Sequence, residues 1–349
     1  MASRTTVLET LDLGYAYAPG RFAIRHLNLH LERGEVLGLL GRNGAGKTTT
    51  VRLLTTLLPP TEGTAVILGT DVRTGGRALR SRLGVVLQAE SLDFVTVEQN
   101  LTLYAFLWGV GRETARARAE EMLALFELGH VRRRKPWALS GGERRRFQVA
   151  RELMHDMDIL FLDEPTVGLD AIARRRILRY LRDRARAGLS IVFTTHILHE
   201  ADVLCDRIAV LHRGELRALD TAEALKRSFG GAREVTVTFA TPLAPADRAF
   251  LQAELGRRRA TLLVGEPGNP EPANRLSFRA ENVEDFLPWI SDWAHRPELR
   301  IERLAIEEPT LEGAFLGLIG GEEEPADGTE RGLDPTREPE TVATRGGAP

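Results

Sequence analysis

Apolar residues in the first two thirds of the chain fall into two patterns. Residues 36–40, 84–87, 159–162 and 191–194 are unbroken apolar runs, as expected of parallel strands covered on both faces. Between them, over 47–58, 97–108, 113–128, 143–154 and 171–187, apolar positions recur at helical spacing. In the fourth of these stretches Phe147, Ala150, Leu153 and Met154 share one face, and Arg144, Arg145 and Arg146 are expected to point outward. Strands alternating with helices predict an α/β domain on a mostly parallel sheet. Residues 7–31 differ, because apolar and polar positions alternate around Pro19 and Gly20. That alternation predicts antiparallel strands laid beside the main sheet.

Beyond about residue 230 the pattern becomes strand 234–239, helix 245–255 and strand 261–265, then a loop rich in Gly, Pro and Asn over 266–274. Strand 275–279, helix 283–293, strand 299–306 and a short helix 310–319 follow. The β-α-β-β-α-β order is that of a ferredoxin-like unit, a superfold that says little about activity. The expected division is a first domain over 1–230, with a helical subdomain at about 89–155, and a small α+β domain over 231–320. Residues 321–349 are mostly Glu, Pro, Gly, Thr and Arg. They offer too little apolar surface to offset ordering entropy, so a disordered tail is expected.

Composition narrows the classes. The 349 residues carry 47 Lys+Arg against 49 Asp+Glu, a formal charge of −2, which argues against a dedicated polyanion binder; no nucleic-acid partner is expected. No apolar run approaches the ~18–20 residues that span a bilayer. The first ten positions lack the apolar core of a signal peptide, and a cytosolic location is expected. Cys205 is the one cysteine, which excludes an internal disulfide and a multi-cysteine metal cage.

Gly41-Arg42-Asn43-Gly44-Ala45-Gly46-Lys47-Thr48 fits G-x-x-x-x-G-K-[ST] and lies between a predicted strand and a predicted helix. Backbone N–H groups at such a helix start attract phosphate oxygens, and glycines let the backbone come close. Lys47 supplies a compact ammonium for the β- and γ-phosphates and Thr48 a hydroxyl for Mg²⁺. A second segment, Leu139-Ser140-Gly141-Gly142-Glu143, opens an amphipathic helix. Ser140 and Glu143 satisfy a capping box, while the glycine pair exposes N–H groups at a positive helix end, a second place for an anion. The apolar strand at 159–162 ends in Asp163 and Glu164, at the sheet edge where α/β folds place ligands. Asp163 is suited to hold Mg²⁺ through water, and Glu164 to activate an attacking water as general base.

Taken in order, these motifs over about residues 7–229 closely resemble the ATP-binding subunit of ABC transporters. The resemblance implies a P-loop NTPase of ABC type: a mostly parallel core sheet with helices, an antiparallel β subdomain and a helical subdomain, here followed by a small α+β domain. It implies that Gly41, Arg42, Asn43, Gly44, Ala45, Gly46, Lys47, Thr48 and Thr49 bind the nucleotide phosphates. Ser140, Gly141, Gly142 and Glu143 match the family signature, and Asp170 closes the loop after Glu164. Thr48, Gln88 and Asp163 would surround Mg²⁺, with Glu164 as catalytic base and Gln88 as a reporter of the γ-phosphate. His196, following Thr194 and Thr195, matches the switch histidine. Tyr17 would stack on adenine through its flat ring, with Tyr15 as the alternative.

In this family two such domains pair head to tail around ATP. The resemblance therefore implies a second ATP-binding subunit, expected as a homodimer, and a separate transmembrane permease contacting residues 88–128, chiefly 90–100. The segment Glu308-Pro309-Thr310-Leu311-Glu312-Gly313-Ala314-Phe315-Leu316 is similar to the closing segment of daunorubicin-type drug-resistance exporter ATPases. So are Leu92-Asp93 and Thr96-Val97-Glu98-Gln99-Asn100-Leu101, although Phe94-Val95 departs from that pattern. This implies ABC-2-type export of a drug-like, lipid or other small substrate, with the chain peripheral on the cytoplasmic face of the membrane. The alternatives are an importer ATPase whose second domain binds a regulator and a non-transport ABC switch acting on ribosomes or nucleic acid. The single nucleotide-motif set and the lack of a long coiled coil weigh against the last.

Overall fold

The computed structural model describes residues 5–86, 94–258, 260–263, 272–280, 283–294 and 300–319. The alternating N-terminal stretch forms a hairpin: β1 (Thr6–Ala18) turns at Pro19 and Gly20 into β2 (Arg21–Leu27), and β3 (His30–Glu32) returns along β1. β4 (Val36–Leu40) then leads through the glycine-rich loop into α1 (Lys47–Leu54). Next come β5 (Glu62–Ile67), β6 (Thr70–Asp71), α2 (Gly76–Arg80) and β7 (Leu83–Val86). A helical layer follows, made of α3 (Val97–Leu107), α4 (Arg112–Leu125) and α5 (Gly141–Glu152). β8 (Ile159–Asp163), α6 (Ala171–Arg186), β9 (Ser190–Thr195) and α7 (Leu198–Leu204) return the chain to the sheet, before β10 (Arg207–His212), β11 (Glu215–Asp220) and α8 (Ala222–Phe229). The remaining elements are β12 (Arg233–Phe239), α9 (Pro245–Arg257), β13 (Thr261–Leu262), β14 (Arg275–Ala280), α10 (Leu287–Ala294), β15 (Ile301–Glu307) and α11 (Leu311–Ile319).

The main sheet runs β11-β10-β4-β9-β8-β7, parallel except where β11 pairs antiparallel with β10. Successive strand residues point to opposite faces, and both faces are covered. In β8, Leu160 and Leu162 enter the core shared with the helical layer, where Phe147 and Phe193 lie. Ile159 and Phe161 enter the other core, shared with the antiparallel sheet β2-β1-β5-β6 and its Ile24 and Leu31. This is why β8 has to be apolar at every position before its terminal carboxylate.

Within the helical layer, α5 is fastened at its far end by Glu152. This buried carboxylate accepts hydrogen bonds from the Tyr104 hydroxyl of α3 at 2.8 and 2.9 Å and from the Val85 amide of β7 at 3.4 Å. Burial pushes its pKa above the ordinary carboxylate range.

The second unit is an antiparallel sheet in the order β13-β14-β12-β15. Val235, Val237 and Phe239 alternate inward against Leu251, Phe278 and Ile290, and the element order is β-α-β-β-α-β. The stretch expected as one helix over 283–293 begins instead with a 3-10 turn at Val283–Asp285 before α10. The last helix goes elsewhere. α11 packs on α7 and α8, with Leu311 and Ala314 buried in the core of the first body. An apolar helix announces that it is covered, but periodicity does not say by what. Among the described residues no helix is long and apolar enough to cross a membrane.

The seat of α11 makes a testable prediction. In an ordinary helix interior Gly→Ala gains ~1 kcal/mol. At Gly317, however, an added Cβ would lie 2.6 Å from the Phe229 carbonyl oxygen, a backbone atom that cannot swing aside. Gly317→Ala should therefore destabilise the chain, by ~1–3 kcal/mol, in urea melts, with faster amide exchange in α8 and α11. A gain in stability would show that α11 does not rest on α8.

Candidate functional site

The glycine-rich loop is shaped by close approach to the hairpin. Gly46 caps α1 with φ +103°, and a Cβ there would lie 2.4 Å from Ile24 Cδ1 and 2.8 Å from the Ala23 carbonyl oxygen. Only glycine meets both demands. The first turn of α1 has no acidic residue, so its positive end remains available to an anion. The buried Lys47 ammonium donates to the carbonyls of Gly41 at 2.7 Å and Arg42 at 3.3 Å, and stands 3.4 Å from Glu164 Oε1.

Asp163 ends β8 directly opposite Thr194 of β9, and this register gathers the site. The carboxylate has no solvent exposure. Oδ2 accepts the Thr48 hydroxyl at 2.8 Å and Oδ1 accepts the Thr194 hydroxyl at 2.6 Å. The same Thr194 oxygen accepts the Glu164 amide at 3.0 Å. Glu164 has φ +50°, a left-handed conformation uncommon for a non-glycine residue and typical of strain held at functional positions. Its Oε1 lies 3.3 Å from His196 Nδ1, at the end of β9.

Tyr17 is exposed, and its hydroxyl shares a hydrogen bond of 3.2 Å with Thr49. With Arg21, Phe22, Ala23, residues 42–49 and Glu164 it lines a cleft of about 660 Å³. Tyr15 instead packs toward the core beneath, edge-on to the Tyr17 ring at 4.9 Å. Arg21, Phe22 and Ala23 were not singled out from sequence. The pairing of Ala18 with Arg21 and of Ala16 with Phe22 carries them to the Tyr17 end of the hairpin.

Ser140 caps α5. Its hydroxyl accepts the Glu143 amide at 3.3 Å, while Glu143 Oε2 accepts the Ser140 amide at 2.8 Å. His130 Nε2 lies 2.8 Å from Glu143 Oε1. The Ser140 amide first, then His130, holds the Glu143 carboxyl down at about 2. Glu143 is thus occupied in shaping the helix start. Gly141 and Gly142 open onto a different cleft of about 480 Å³, shared with Arg145, Gln148, Glu164, Val167 and Gly168. Asp170 caps α6 by accepting the amides of Ile172 and Ala173, both at 2.9 Å, and the Ala173 amide leads in holding its carboxyl below the usual range.

One expectation is corrected. Arg145 was placed outward with its neighbours, yet it is buried, donating to the Asp163 backbone oxygen and to Gln148 Oε1 at 2.9 Å. Helix α5 is enclosed on more than one side at its start, which periodicity over four apolar residues does not reveal. Gln88 lies outside the described residues.

The structure therefore brings Tyr17, Lys47, Thr48, Thr49 and Glu164 to one cleft, with Asp163 bonded to Thr48 and His196 beside Glu164, and leaves Gly141 and Gly142 facing another. Thr48 and Asp163 are hard oxygen donors, and the buried carboxylate suits a small divalent cation. Mg²⁺ takes few protein ligands and fills the remainder with water and phosphate.

The ABC transporter family matches residues 24–167 of this chain. The daunorubicin/doxorubicin resistance ATP-binding protein DrrA of Streptomyces peucetius is 36% identical over 97% of this chain and 98% of its own length. The methionine import ATP-binding protein MetN of Bordetella pertussis is 34% identical over 89% of this chain and 87% of its own. A dimeric post-hydrolysis state of an ATP-binding cassette, bound to ADP and Pi, superposes with a TM-score of 0.57 at 27% identity, over 61% of this chain and 98% of that one. The chain belongs to the ABC transporter family, as an ATP-hydrolysing nucleotide-binding subunit that energises transport through a partner permease. ATP and Mg²⁺ dependence is typical of this family.

The capping arrangement predicts a pH signature. A carboxyl at about 2 when folded, against an ordinary 4.5, contributes stability that is fully present above the unfolded value and is lost as pH falls toward the folded one. Wild type should exceed Glu143→Gln by about 1 kcal/mol above about pH 5, and the gap should close as pH falls toward about 2. Urea midpoints measured across that range check it; a gap independent of pH would deny the charged cap.

Proposed function

We propose that each ATP is hydrolysed between two copies of this chain arranged head to tail, and that the work drives outward movement of a drug-like small molecule through a separate permease. One observation carries the composite site: the Gly141–Gly142 helix start and the Lys47 loop open onto different clefts of one chain, with Glu164 on the wall of both. A second copy turned about a twofold axis would bring its helix start to the first copy's loop.

In this reading the loop amides and Lys47 hold the β- and γ-phosphates, and Tyr17 lies under the adenine. Thr48 and Asp163, with Gln88, would hold Mg²⁺. The ion, when bound, neutralises charge on the β- and γ-oxygens. Glu164 removes a proton from the attacking water as its oxygen bonds to the γ-phosphorus. The bond from phosphorus to the bridging oxygen breaks, and ADP and phosphate leave. The Glu164 carboxylate is poised by the Thr194 hydroxyl behind its amide and by His196 at 3.3 Å. Ser140, Gly141 and Gly142 of the second copy close on the γ-phosphate, and Asp170 stabilises the loop between the copies.

Export of a drug-like substrate is supported by the daunorubicin/doxorubicin resistance protein, which aligns along nearly its whole length. The likeness to the methionine importer favours import. Transport of labelled anthracycline into inside-out vesicles, set against uptake into right-side-out ones, separates the two. Exposed Phe94, Phe106 and Leu107, on α3 and just before it, offer an apolar surface for the permease, which would hold the chain at the cytoplasmic face of the membrane.

Two outcomes test the composite site. Glu164→Gln should retain ATP affinity, lose ~10²–10⁴-fold in turnover and accumulate as a dimer in sedimentation; wild-type turnover would remove Glu164 from the role of base. Lys47→Ala and Ser140→Arg chains, each inactive alone, should regain turnover when mixed, since one mixed seam is intact. A silent mixture would overturn the head-to-tail arrangement.

A further inference from the structure

Helix α6 carries a line of arginines on its solvent side. With α7 it flanks a groove of about 450 Å³ to which Arg174, Arg175, Arg179, Arg182 and Arg186 all contribute, with His199 opposite. Three of the five arginines are matched: Arg174 to Glu200 at 3.1 Å, Arg182 to Asp206 at 2.7 Å and Arg186 to Asp183 at 3.7 Å. Among the described residues Arg175 and Arg179 have no acidic partner, and both are exposed. They sit one turn apart, where like charges repel. In a chain whose formal charge is −2, this local excess fits a ligand with closely spaced carboxylates.

The course of the chain supplies one. α11 packs on α7 as well as α8, so the last described residue, Ile319, belongs to a helix seated beside one wall of the groove. The thirty residues after it carry eight Asp or Glu and three Arg, a net charge of −5, and open with Glu322-Glu323-Glu324. Three to five residues span at most about 10–18 Å, so the acidic triad cannot stray far from that helix.

We propose that the groove between α6 and α7 is the docking site of this chain's own acidic segment, Glu322 to Glu324, whose carboxylates pair with Arg175 and Arg179. Guanidinium–carboxylate pairs of this kind are favoured by fork geometry. Exposed pairs are individually weak, and the covalent tether raises the local concentration of the partner. The position has a bearing on the nucleotide site. Arg174, in the same groove, donates to the Leu169 carbonyl at 3.3 Å, next to Asp170. Its partner Glu200 is buried and accepts the Thr195 hydroxyl at 2.7 Å, one residue before His196. A docked segment lies over the helix pair that carries both.

The test uses the full chain and trypsin, with Arg331, Arg337 and Arg345 as cleavage points in the segment beyond Ile319. Release of C-terminal peptides, followed by mass spectrometry, should be about threefold or more slower in wild type than in the R175E/R179E variant. The protection should disappear at about 0.5 M salt and persist on hundredfold dilution. Replacing Glu322, Glu323 and Glu324 together by Gln should accelerate release equally, and combining the two sets should add nothing further. Unchanged melting of each variant shows that the fold is intact. Equal release from every variant, fully additive effects, or protection lost on dilution would each overturn the proposal. So would an R175E/R179E variant that loses binding to phosphatidylglycerol vesicles while its tail is cut at the wild-type rate, an outcome that would assign the groove to anionic lipid.

Discussion

Asp163 sets a carboxylate at the end of a wholly apolar strand, out of reach of solvent, and much of the first body is organised around it. Removing such a group from water costs several kcal/mol unless its oxygens find donors. Here the donors come from separate elements: Thr48 from α1, Thr194 from β9, and, at the backbone oxygen of the same residue, Arg145 from α5. The charge is satisfied only when the phosphate loop, the central sheet and the glycine-pair helix have all assembled. Thr194 has a double duty, since its oxygen also receives the Glu164 amide and holds that residue in its left-handed conformation. Stability and chemistry thus meet in one hydroxyl.

Glu164 stands on the wall of both clefts of a single chain. One side of it looks onto the loop that holds Lys47, and the other onto Gly141 and Gly142. The Glu143 side chain is engaged with Ser140, in the capping box the sequence predicts, and with His130, which it does not. The anion-attracting power of that helix start therefore comes from its backbone N–H groups rather than from a side chain.

Much of this was readable in the sequence because the physics was local. Buried parallel strands have to be apolar at every position, the hairpin announced itself by alternation, and the phosphate loop needs its glycines and lysine in one order. The β-α-β-β-α-β order of the second unit could likewise be written down from period changes alone. What escaped depended on residues distant in the chain. Thr194 was noticed only as a neighbour of His196, since nothing in a strand-terminal threonine says that a carboxylate lies across the ladder. Arg145 sits in a run of three arginines, and only the closeness of β8 makes it the buried one. The seat of α11 was equally hidden, because its glycines acquire meaning only once Phe229 and Gly230 are seen beneath them.

The anchorage of Glu152 has a mechanical corollary. A single carboxylate grips the tyrosine of α3 and the amide of Val85 while belonging to α5. The outer helices are consequently riveted to the edge of the sheet at a point far along α5 from its glycine pair. A push on α3 is thereby shared by α5 and the edge strand β7 through one side chain.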